Sequence, residues 1–373
     1  LLKMLKGVSL FANIGVGELS LPSNFRVIAA NDIDPKRCNL YKKLHPHTNV
    51  IVGDISKKTI LNKLKEFDCD FVISTPPCQG MSNLGRMEKM DPRNHLVKYS
   101  IDFIKTKKPK FIFHENVPNQ NKTLINYRGK EVTISEFICK QLSKDYFIEN
   151  KNIKMDDYGI PQMRKRSIFL LTRKDISQAW DFPNPKNKIL TLKDVINDLP
   201  TLDPIVSDAN VQTEKVFPRF HKKLERALKV SEFHTPVTHP IRQIICMQQT
   251  PSGKSAFENI NKFKPRRIDG KIISAFNTTY ARMSWDKPCP TVTTHNRTIS
   301  SHINVHPGRK VQTKDGIIYS DARVLSMYEL MLVMTIKPSW KLSSAENTPF
   351  LRSVIGEGVP PEFVKLCFKA IPI

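Results

Sequence analysis

Long apolar runs and paired cysteines are both missing from this sequence. A membrane-spanning helix needs about 20 predominantly apolar residues, so we expect no membrane span and no membrane partner. The seven cysteines are scattered without a C-x-x-C pair. That scatter argues against a bound metal or a disulfide framework and favours a reducing, intracellular compartment. Residues 1–6 are too short a stretch to predict a signal peptide.

Acidic residues are scarce: 35 Asp and Glu stand against 59 Lys and Arg, for a formal net charge of +24. An excess of this size favours a polyanionic partner, above all nucleic acid. The alternative is a basic surface that is merely solvated, and many of the lysines fit that description.

Short apolar, β-branched runs alternate with helical patterns through the first 175 residues. This alternation predicts an α/β fold with a doubly wound, mostly parallel sheet covered by helices on both faces. The predicted strands are 8–11, 25–30, 49–52, 71–73, 111–113 and 167–171, and the predicted helices are 35–44, 57–65 and 96–105.

From about residue 181 the sequence becomes irregular and rich in proline and lysine. We predict a first domain over 1–180, a second, smaller, irregular β-rich domain over 181–320, and a return segment over 321–373 that completes the first domain. Strand-like sequence lies at 290–305. Helical patterns follow at 322–334 and 362–370, the latter after a turn that begins at Ile355.

Ligand-capable groups follow three successive predicted strands. The first strand ends in a glycine-bearing turn, Phe11-Ala12-Asn13-Ile14-Gly15, which lets backbone approach a ligand closely but lacks the G-x-G-x-x-G spacing. Asp32 ends the second strand, where a carboxylate can accept from ribose hydroxyls, and Asp54 ends the third, where it can accept from an exocyclic amine. Each acid alone also fits a helix N-cap. Together the three positions predict a nucleoside cofactor.

One cysteine follows a buried strand and two prolines, in Ser74-Thr75-Pro76-Pro77-Cys78-Gln79. The prolines end the strand, so Cys78 is expected on a stiff turn at the rim of the sheet, where α/β proteins do their chemistry. The alternative is a buried structural thiol, and this stretch alone does not decide between them.

Two further patterns carry polar groups. Glu115 follows the fifth strand, where it is either a cap or an acid able to move a proton to or from a ring nitrogen. Gln162, Arg164 and Arg166 alternate along a predicted strand, so we expect them on one face, where two arginines suit a carbonyl oxygen, a carboxylate or a phosphate. The alternative is a basic strand face in a basic protein.

Five motifs occur in a fixed order: Phe-Ala-x-Ile-Gly, Pro-Pro-Cys-Gln, Glu-Asn-Val, Gln-x-Arg-x-Arg and Gly-x-x-Val-Pro-Pro. Their order and spacing closely resemble the cytosine-C5 DNA methyltransferases of restriction-modification systems. Pro290–Thr294, His306-Pro307, and Arg323 with Glu329 also resemble the family's stretch after its target-recognition region. The resemblance spans nearly the whole chain, and Pro-Pro-Cys-Gln and Gln-x-Arg-x-Arg are its most specific parts.

The resemblance implies the S-adenosylmethionine-dependent methyltransferase fold and methyl transfer to carbon 5 of a flipped-out cytosine in a specific double-stranded DNA sequence. Cys78 would attack carbon 6, Glu115 would bond the N3 edge, Arg166 the O2 oxygen, and Arg164 would assist near the thiolate. Residues 79–95 would form a mobile loop, and 181–320 would read the target. Candidate base or phosphate contacts there are Arg242, Gln243, Gln248, Gln249, Arg266, Arg267, Arg282 and Arg297.

The resemblance also implies a site for S-adenosylmethionine and its product S-adenosylhomocysteine. Phe11 to Gly15 would hold the methionine part, Asp32 the ribose and Asp54 the adenine amine, with Ile33 and Ile55 packed on the adenine. The full set of implied cofactor residues is Phe11, Ala12, Asn13, Ile14, Gly15, Asp32, Ile33, Asp54, Ile55, Pro77, Leu96, Glu357 and Val359. The implied substrate-binding residues are Gln79, Ser82 and Gln162.

This chain departs from the family at four of these positions. Asn13 stands where glycine is usual, and we expect the turn to survive because asparagine tolerates the left-handed region. Asp32 is shorter than the usual Glu. Glu357 replaces Asn and Gly358 replaces Ser. A carboxylate at 357 would repel the cofactor's own carboxylate unless it meets the ammonium group.

Three alternatives remain. An RNA (tRNA) cytosine-5 methyltransferase shares these motifs, but the Cys-Phe-Thr signature of that relative is absent. A non-catalytic DNA-binding homologue would typically have lost the cysteine or the glutamate. A nicotinamide oxidoreductase would need neither Pro-Pro-Cys-Gln nor the arginine pair. We expect a monomer in the prokaryotic cytoplasm, associated with the nucleoid, and a cognate restriction endonuclease that acts on the same DNA site without binding this chain is a candidate partner.

Overall fold

The computed structural model describes residues 3–77, 80–81, 91–186, 188–340, 342 and 348–372. These form two compact units. The first unit comprises the chain up to Tyr158, Lys165–Pro185 and the residues from Gly358 on, and the second comprises Gly159–Arg164 and Lys186–Glu357. The second unit therefore includes 321–357, which the sequence had assigned to the return segment.

Seven strands of the first unit form one sheet among the described residues. Their bounds are β1 Leu5–Leu10, β2 Phe25–Asp32, β3 Asn49–Val52, β4 Phe71–Ser74, β5 Phe111–Asn116, β8 Tyr146–Lys154 and β10 Lys165–Arg173. Their order in the sheet is β3-β2-β1-β4-β5-β10-β8. The first five in that order are parallel, whereas β10 runs antiparallel to both β5 and β8. All six predicted strands are confirmed, and β8 is an additional one.

The helices of the first unit begin where side chains cap them. Asp34 accepts from the Lys36 amide at the start of α1, with a proline at the first turn. Thr133 and Glu136 form a capping box at the start of α4. The bounds are α1 Pro35–Leu44, α2 Lys58–Lys65, α3 Val97–Lys107, α4 Ile134–Leu142 and α11 Pro361–Lys369, and a small hairpin consists of β6 Leu124–Tyr127 and β7 Lys130–Thr133.

An aromatic cluster ties the end of the chain into the first unit. The Phe368 ring of α11 lies edge-on to Phe25, Phe71 and Trp180, with centroid distances of 5.2, 5.2 and 5.4 Å. The Trp180 indole also donates to the Cys367 carbonyl at 2.8 Å. Such edge-to-face contacts stabilise beyond the area they bury. The segment from Gly358 on thus completes the first core.

The second unit combines short helices with two-stranded sheets. Two predictions are wrong in extent. Within the described residues 290–305, strand structure is limited to Pro290, at the end of the strand Cys289–Pro290, and to isolated bridges at Val305. The predicted helix 322–334 is present but begins only at Met327, because Ser326 and Glu329 form a capping box there. The bounds are β9 Gln162–Met163, α5 Leu192–Ile196, β11 Ile205–Val206, α6 Thr213–Val216, α7 Phe220–Val230, β12 Thr238–His239, α8 Ile241–Gln248, β13 Cys289–Pro290, β14 Lys310–Thr313, β15 Gly316–Tyr319, α9 Met327–Val333 and α10 Thr348–Glu357.

The predicted turn at Ile355 is also wrong, since α10 continues to Glu357. The close approach of α10 to the Thr293 carbonyl oxygen requires glycine at residue 356, because a Cβ there would lie 2.3 Å from that oxygen. The chain then turns over Gly358 to Pro360 before α11.

A buried ionic cluster organises the second unit. The Arg323 guanidinium donates to both carboxylate oxygens of Glu329, at 2.7 and 2.9 Å, and to Asp321 at 2.7 Å. All three side chains are essentially inaccessible to solvent. Burial alone would favour the neutral acids, but Arg323 and His306 outweigh it and lower the pKa of Glu329 to about 2.

We expect Glu329→Ala to destabilise the second unit by about 3–5 kcal/mol, because it leaves the buried Arg323 charge with half its carboxylate partners. Denaturant unfolding would measure the loss. Glu225→Ala is the matched control, since Glu225 pairs with Lys229 on an exposed face of α7 and its removal should leave the midpoint unchanged. Equal midpoints for both variants would contradict a structural role for the cluster.

No helix in the described part of the chain is long and apolar enough to cross a membrane. The same described residues contain no group of three or more His, Cys, Asp or Glu side chains placed to hold a metal ion.

Candidate active site

The carboxyl ends of β1 to β5 lie at one edge of the first unit's sheet, because these strands are parallel neighbours. The glycine-bearing turn follows β1, Asp32 ends β2, and Asp54 comes two residues after β3. The Pro76-Pro77 turn follows β4, and Glu115 lies in β5. The edge at which the sequence predicts the chemistry therefore collects these groups in one unit.

The turn after β1 is held in left-handed conformations. Phe11, Asn13 and Gly15 have φ values of +58°, +53° and +72°. The prediction that asparagine preserves the turn is confirmed. The Asp32 carboxylate accepts from the Asn13 amide at 2.9 Å and from the Asp34 amide at 3.0 Å, so the turn and the strand-end acid fix each other.

Three side chains brace this turn, and sequence reasoning missed them. The half-buried His45 ring, just after α1, bonds through Nε2 to the Gly15 carbonyl oxygen at 3.2 Å and lies tilted against the Tyr41 ring with a centroid distance of 4.4 Å. The Tyr41 hydroxyl donates to the Glu18 carboxylate. A Cβ at Gly15 would lie 2.4 Å from His45 Nε2, so the close packing requires glycine. The i, i+4 spacing of Tyr41 and His45 was the available signal.

The remaining implied cofactor residues differ in what they present. Ile33 is 65% exposed beside Asp32, whereas Ile55 is 3% exposed and belongs to the hydrophobic core. Ile33 therefore offers free apolar surface for an adenine, and Ile55 offers almost none. Asp54 accepts from the Ser56 amide at 2.9 Å. Ala12, Ile14 and Val359 are buried, while Pro77 and Leu96 are half-buried.

Hydrogen bonds hold described residues that come before and after Cys78 in the sequence. The Asn116 side-chain amide donates to the Pro76 carbonyl at 3.1 Å, and the Thr75 hydroxyl donates to the Phe11 carbonyl at 3.1 Å. After Cys78, the Asn119 side-chain amide donates to the Met81 carbonyl at 2.9 Å. Cys78, Gln79 and Ser82 themselves lie outside the described residues, as does most of the predicted loop 79–95.

Glu115 and Arg166 form an ion pair, with 2.8 Å between Arg166 Nε and Glu115 Oε1. Their side chains are 9% and 13% exposed. The pairing follows from topology, because β10 runs antiparallel to β5 with Ser167 opposite Asn116, which places the start of β10 beside the end of β5. A partly desolvated pair at a strand-end edge can orient a ring by both a carboxyl and a guanidinium group.

Gln162, Arg164 and Arg166 do not lie on one strand face, so that prediction is wrong. The Arg164 amide donates to the Gln162 carbonyl at 2.8 Å, a tight turn that separates β9 from β10. Gln162 is fully buried, accepts from the Val292 amide at 3.1 Å and donates to Met334 Sδ at 3.0 Å.

Arg164 lies in the second unit and is likewise fully buried. Its guanidinium donates to the carbonyls of Val292, Gly356 and Glu357, each at 3.1 Å. Arg164 and Gln162 thus bond mainly to backbone groups of the second unit, which is a structural role. The Gly358 departure also has a local reason, since a Cβ there would lie 2.7 Å from Val16 Cβ.

Arg282 cannot contact DNA as predicted, because it is 1% exposed. Its guanidinium donates to carbonyls of Met247, His306, Ser320 and Asp321. Arg267 and Arg297 are exposed, and Arg242, Gln243, Gln248, Gln249 and Arg266 are half-buried.

A neutral histidine precedes Glu115 in β5. His114 is fully buried between the Ser74 hydroxyl at 3.3 Å and the Gln120 side-chain oxygen at 3.1 Å, and burial lowers its pKa to about 4. In the unfolded chain the ring takes up a proton near its ordinary value of 6.5. Its contribution to stability is therefore present above pH 6.5 and is lost as the pH falls from 6.5 towards 4.

The His114 contribution amounts to about 3 kcal/mol over that interval. We expect His114→Asn to lower stability at pH 7 but to make stability less dependent on pH between 6.5 and 4, as followed by denaturant unfolding. His47→Asn, at an exposed position near the end of α1, should keep the wild-type pH profile. An unchanged slope in the His114 variant would contradict a buried neutral ring.

The family model for C-5 cytosine-specific DNA methylases matches residues 5–372. The chain belongs to this family and is a DNA cytosine-5 methyltransferase with DNA as its substrate. The family uses S-adenosylmethionine as its methyl donor.

Among individual relatives, the chain is 35% identical over 373 residues to the type II methyltransferase M1.HgaI of Avibacterium volantium, covering 97% of each chain. It is also 35% identical over 206 residues to M.NgoPII of Neisseria gonorrhoeae, which covers 52% of this chain.

Solved structures share the fold at low sequence identity. A prophage-encoded DNA modification methyltransferase of E. coli has a TM-score of 0.63 at 20% identity, with 98% of each chain covered. The Entamoeba histolytica methyltransferase EhMeth has a TM-score of 0.62 at 15% identity, covering 99% of this chain and 98% of its own. The predicted fold class is confirmed.

Proposed function

We propose that this enzyme transfers a methyl group from S-adenosylmethionine to carbon 5 of a flipped-out cytosine in a specific double-stranded DNA sequence, through a covalent bond between Cys78 and carbon 6. The observation that carries the proposal is the Glu115–Arg166 pair at the sheet edge where Asn116 anchors Pro76. An acid, a guanidinium and the proline turn that precedes Cys78 in the sequence thus belong to one unit.

The reaction needs a nucleophile because carbon 5 of cytosine is itself unreactive. The Cys78 thiolate forms a bond to carbon 6 and turns the ring into an enamine, so that carbon 5 becomes nucleophilic. Carbon 5 then takes the methyl group, a base removes its proton, and elimination breaks the bond to sulfur and restores the ring. The base must leave the duplex to present this face, which requires flipping.

Glu115 and Arg166 would hold the ring in place during attack. Glu115 bonds the N3 edge, where electron density rises, and Arg166 bonds the O2 oxygen. Their ion pair already fixes the two groups at 2.8 Å, so little reorganisation is needed when the ring enters. Arg164, bonded to three carbonyls, is assigned the lesser role of holding the backbone around β9.

The sheet edge fits S-adenosylmethionine, which supplies the methyl group when bound. The left-handed turn at Asn13 and Gly15 is held in place by the Asp32 carboxylate, and Ile33 presents exposed apolar surface. Phe11 to Gly15 would hold the methionine part, Asp32 the ribose, Asp54 the amine and Ile33 the adenine face. Pro77, Leu96 and Val359 would border the same site.

We assign target recognition to the second unit, and Gln79 and Ser82 to contacts with the substrate. The relatives are named type II methyltransferases, which supports a place in a restriction-modification system. A restriction endonuclease would then act on the same sequence without binding this chain, which we expect to be monomeric.

Duplex DNA with 5-fluorocytosine at the target position should trap the enzyme in the presence of S-adenosylmethionine, because fluorine at carbon 5 cannot leave as a proton does. A band stable to denaturation would measure the adduct, and bisulfite sequencing of DNA from expressing cells would supply the target. Cys139→Ser, at an exposed cysteine of α4, should trap normally. Trapping by Cys78→Ser would overturn the assignment of the nucleophile.

Replacing Arg166 with Ala should lower kcat by about 10²–10³-fold, the usual effect of removing one donor aimed at developing charge. Binding of S-adenosylhomocysteine, measured by calorimetry, should change little. Lys165→Ala is the matched control on the same strand, because that side chain is exposed. A wild-type kcat in the Arg166 variant would exclude a role for this guanidinium in the chemistry.

A further inference from the structure

A basic hairpin, residues 265–273, lies in the second unit, and its residues 267–272 are exposed. Its strands are joined by hydrogen bonds from the Arg267 amide to the Lys271 carbonyl at 2.8 Å and from the Ile273 amide to the Pro265 carbonyl at 2.9 Å. Gly270 closes the turn with φ of +81°, a conformation that favours glycine. The chain therefore forms a tight, four-residue tip from Arg267 to Gly270.

Arginine side chains stabilise the basic hairpin by hydrogen bonds to backbone carbonyls. The Arg266 guanidinium donates to the Gly270 carbonyl at 2.8 Å and to the Asn261 carbonyl at 3.1 Å, and Arg242 of α8 donates to the Arg266 carbonyl at 3.3 Å. Two of the arginines predicted to contact DNA are thus engaged in holding the tip. A tip ordered in advance loses less conformational entropy when it binds.

The tip exposes apolar side chains next to basic residues. Ile268 is 90% exposed, and Phe276, three residues beyond the hairpin, is 84% exposed. The hairpin contains three basic side chains and one acidic side chain, Asp269, and two further lysines, Lys262 and Lys264, come just before it. Isolated exposed isoleucines are common on protein surfaces. An exposed isoleucine at the tip of an ordered, basic hairpin is instead typical of an element that contacts nucleic acid.

We propose that the basic hairpin enters a groove of the target DNA, where Ile268 packs against the bases while Arg267 and Lys271 contact phosphates. This inference rests on the proposed function and names the element of the second unit that reaches the DNA. The cationic flanks provide the salt-dependent attraction. Burial of the Ile268 side chain lowers the free energy of binding only if it packs against an apolar surface such as the face or methyl group of a base. The contribution of Ile268 therefore differs from the purely electrostatic contribution of the basic side chains.

The hairpin of β14 and β15 serves as an internal comparison. It also carries an exposed isoleucine, Ile317, at 42%. Its residues 310–319 contain two lysines and one aspartate. The lower charge and the less exposed apex give no reason to assign it to DNA. Ile317→Ser is therefore a matched control for Ile268→Ser.

Fluorescence anisotropy with a duplex containing the methylated site, in the presence of S-adenosylhomocysteine, would measure binding. We expect Ile268→Ser to weaken DNA binding by about tenfold or more, the effect of losing one buried apolar side chain. Ile317→Ser should bind as the wild type does. Arg267→Gln should reduce the slope of log Kd against log salt concentration by about 0.9, the value for one phosphate contact.

Calorimetric binding of S-adenosylhomocysteine and the thermal midpoint should be unchanged in all three variants, which excludes misfolding. Wild-type DNA affinity in Ile268→Ser would overturn the proposal, as would a change confined to self-association in sedimentation, since the apex would then cover a second copy. Absence of methylation by the wild-type enzyme would count against the proposed function alone, because the same variants can still be compared with the wild type on a duplex of mixed sequence.

Discussion

The antiparallel register of β10 against β5 is the constraint on which the candidate site depends. Ser167 lies opposite Asn116, so Arg166, one residue before Ser167, can reach the carboxylate of Glu115, one residue before Asn116. Three consecutive residues at the end of β5 then have separate tasks: His114 links to Ser74 of β4, Glu115 meets Arg166, and Asn116 holds Pro76. A shift of one residue would place each of these side chains on the wrong face.

Buried arginines replace regular ladders in the second unit. Its strands are short, so many carbonyl groups lack partners in a sheet, and a guanidinium offers five donors in a fixed plane. Arg164 joins three carbonyls, Arg282 joins carbonyls from three stretches of chain, and Arg352 bonds both the side chain and the backbone of Asn296. Part of the basic excess therefore serves architecture, and counting arginines overstates the surface available to DNA.

The sequence predicted the parallel strands because each is a short apolar run with a ligand-capable residue at its end. The edge strand β8 escaped prediction, since its burial is intermittent and no apolar run marks it. Helix α4 is marked in the sequence by its capping box, Thr133 and Glu136, so a local signal for this helix exists. The break at Arg164 and the burial of Arg282 depend on distant carbonyls, which no local pattern reveals.

The first unit is interrupted in sequence by the second unit, and this order determines when a newly made chain completes its first core. Residues up to Tyr158 leave the ribosome early, but Phe368 and the Cys367 carbonyl that Trp180 binds emerge only after the whole second unit has been synthesised. Until then the aromatic side chains of β2 and β4 lack their cover and are prone to aggregate. A nascent chain released before α11 is made would lack a finished sheet face, so partial products should not modify DNA while translation is still under way.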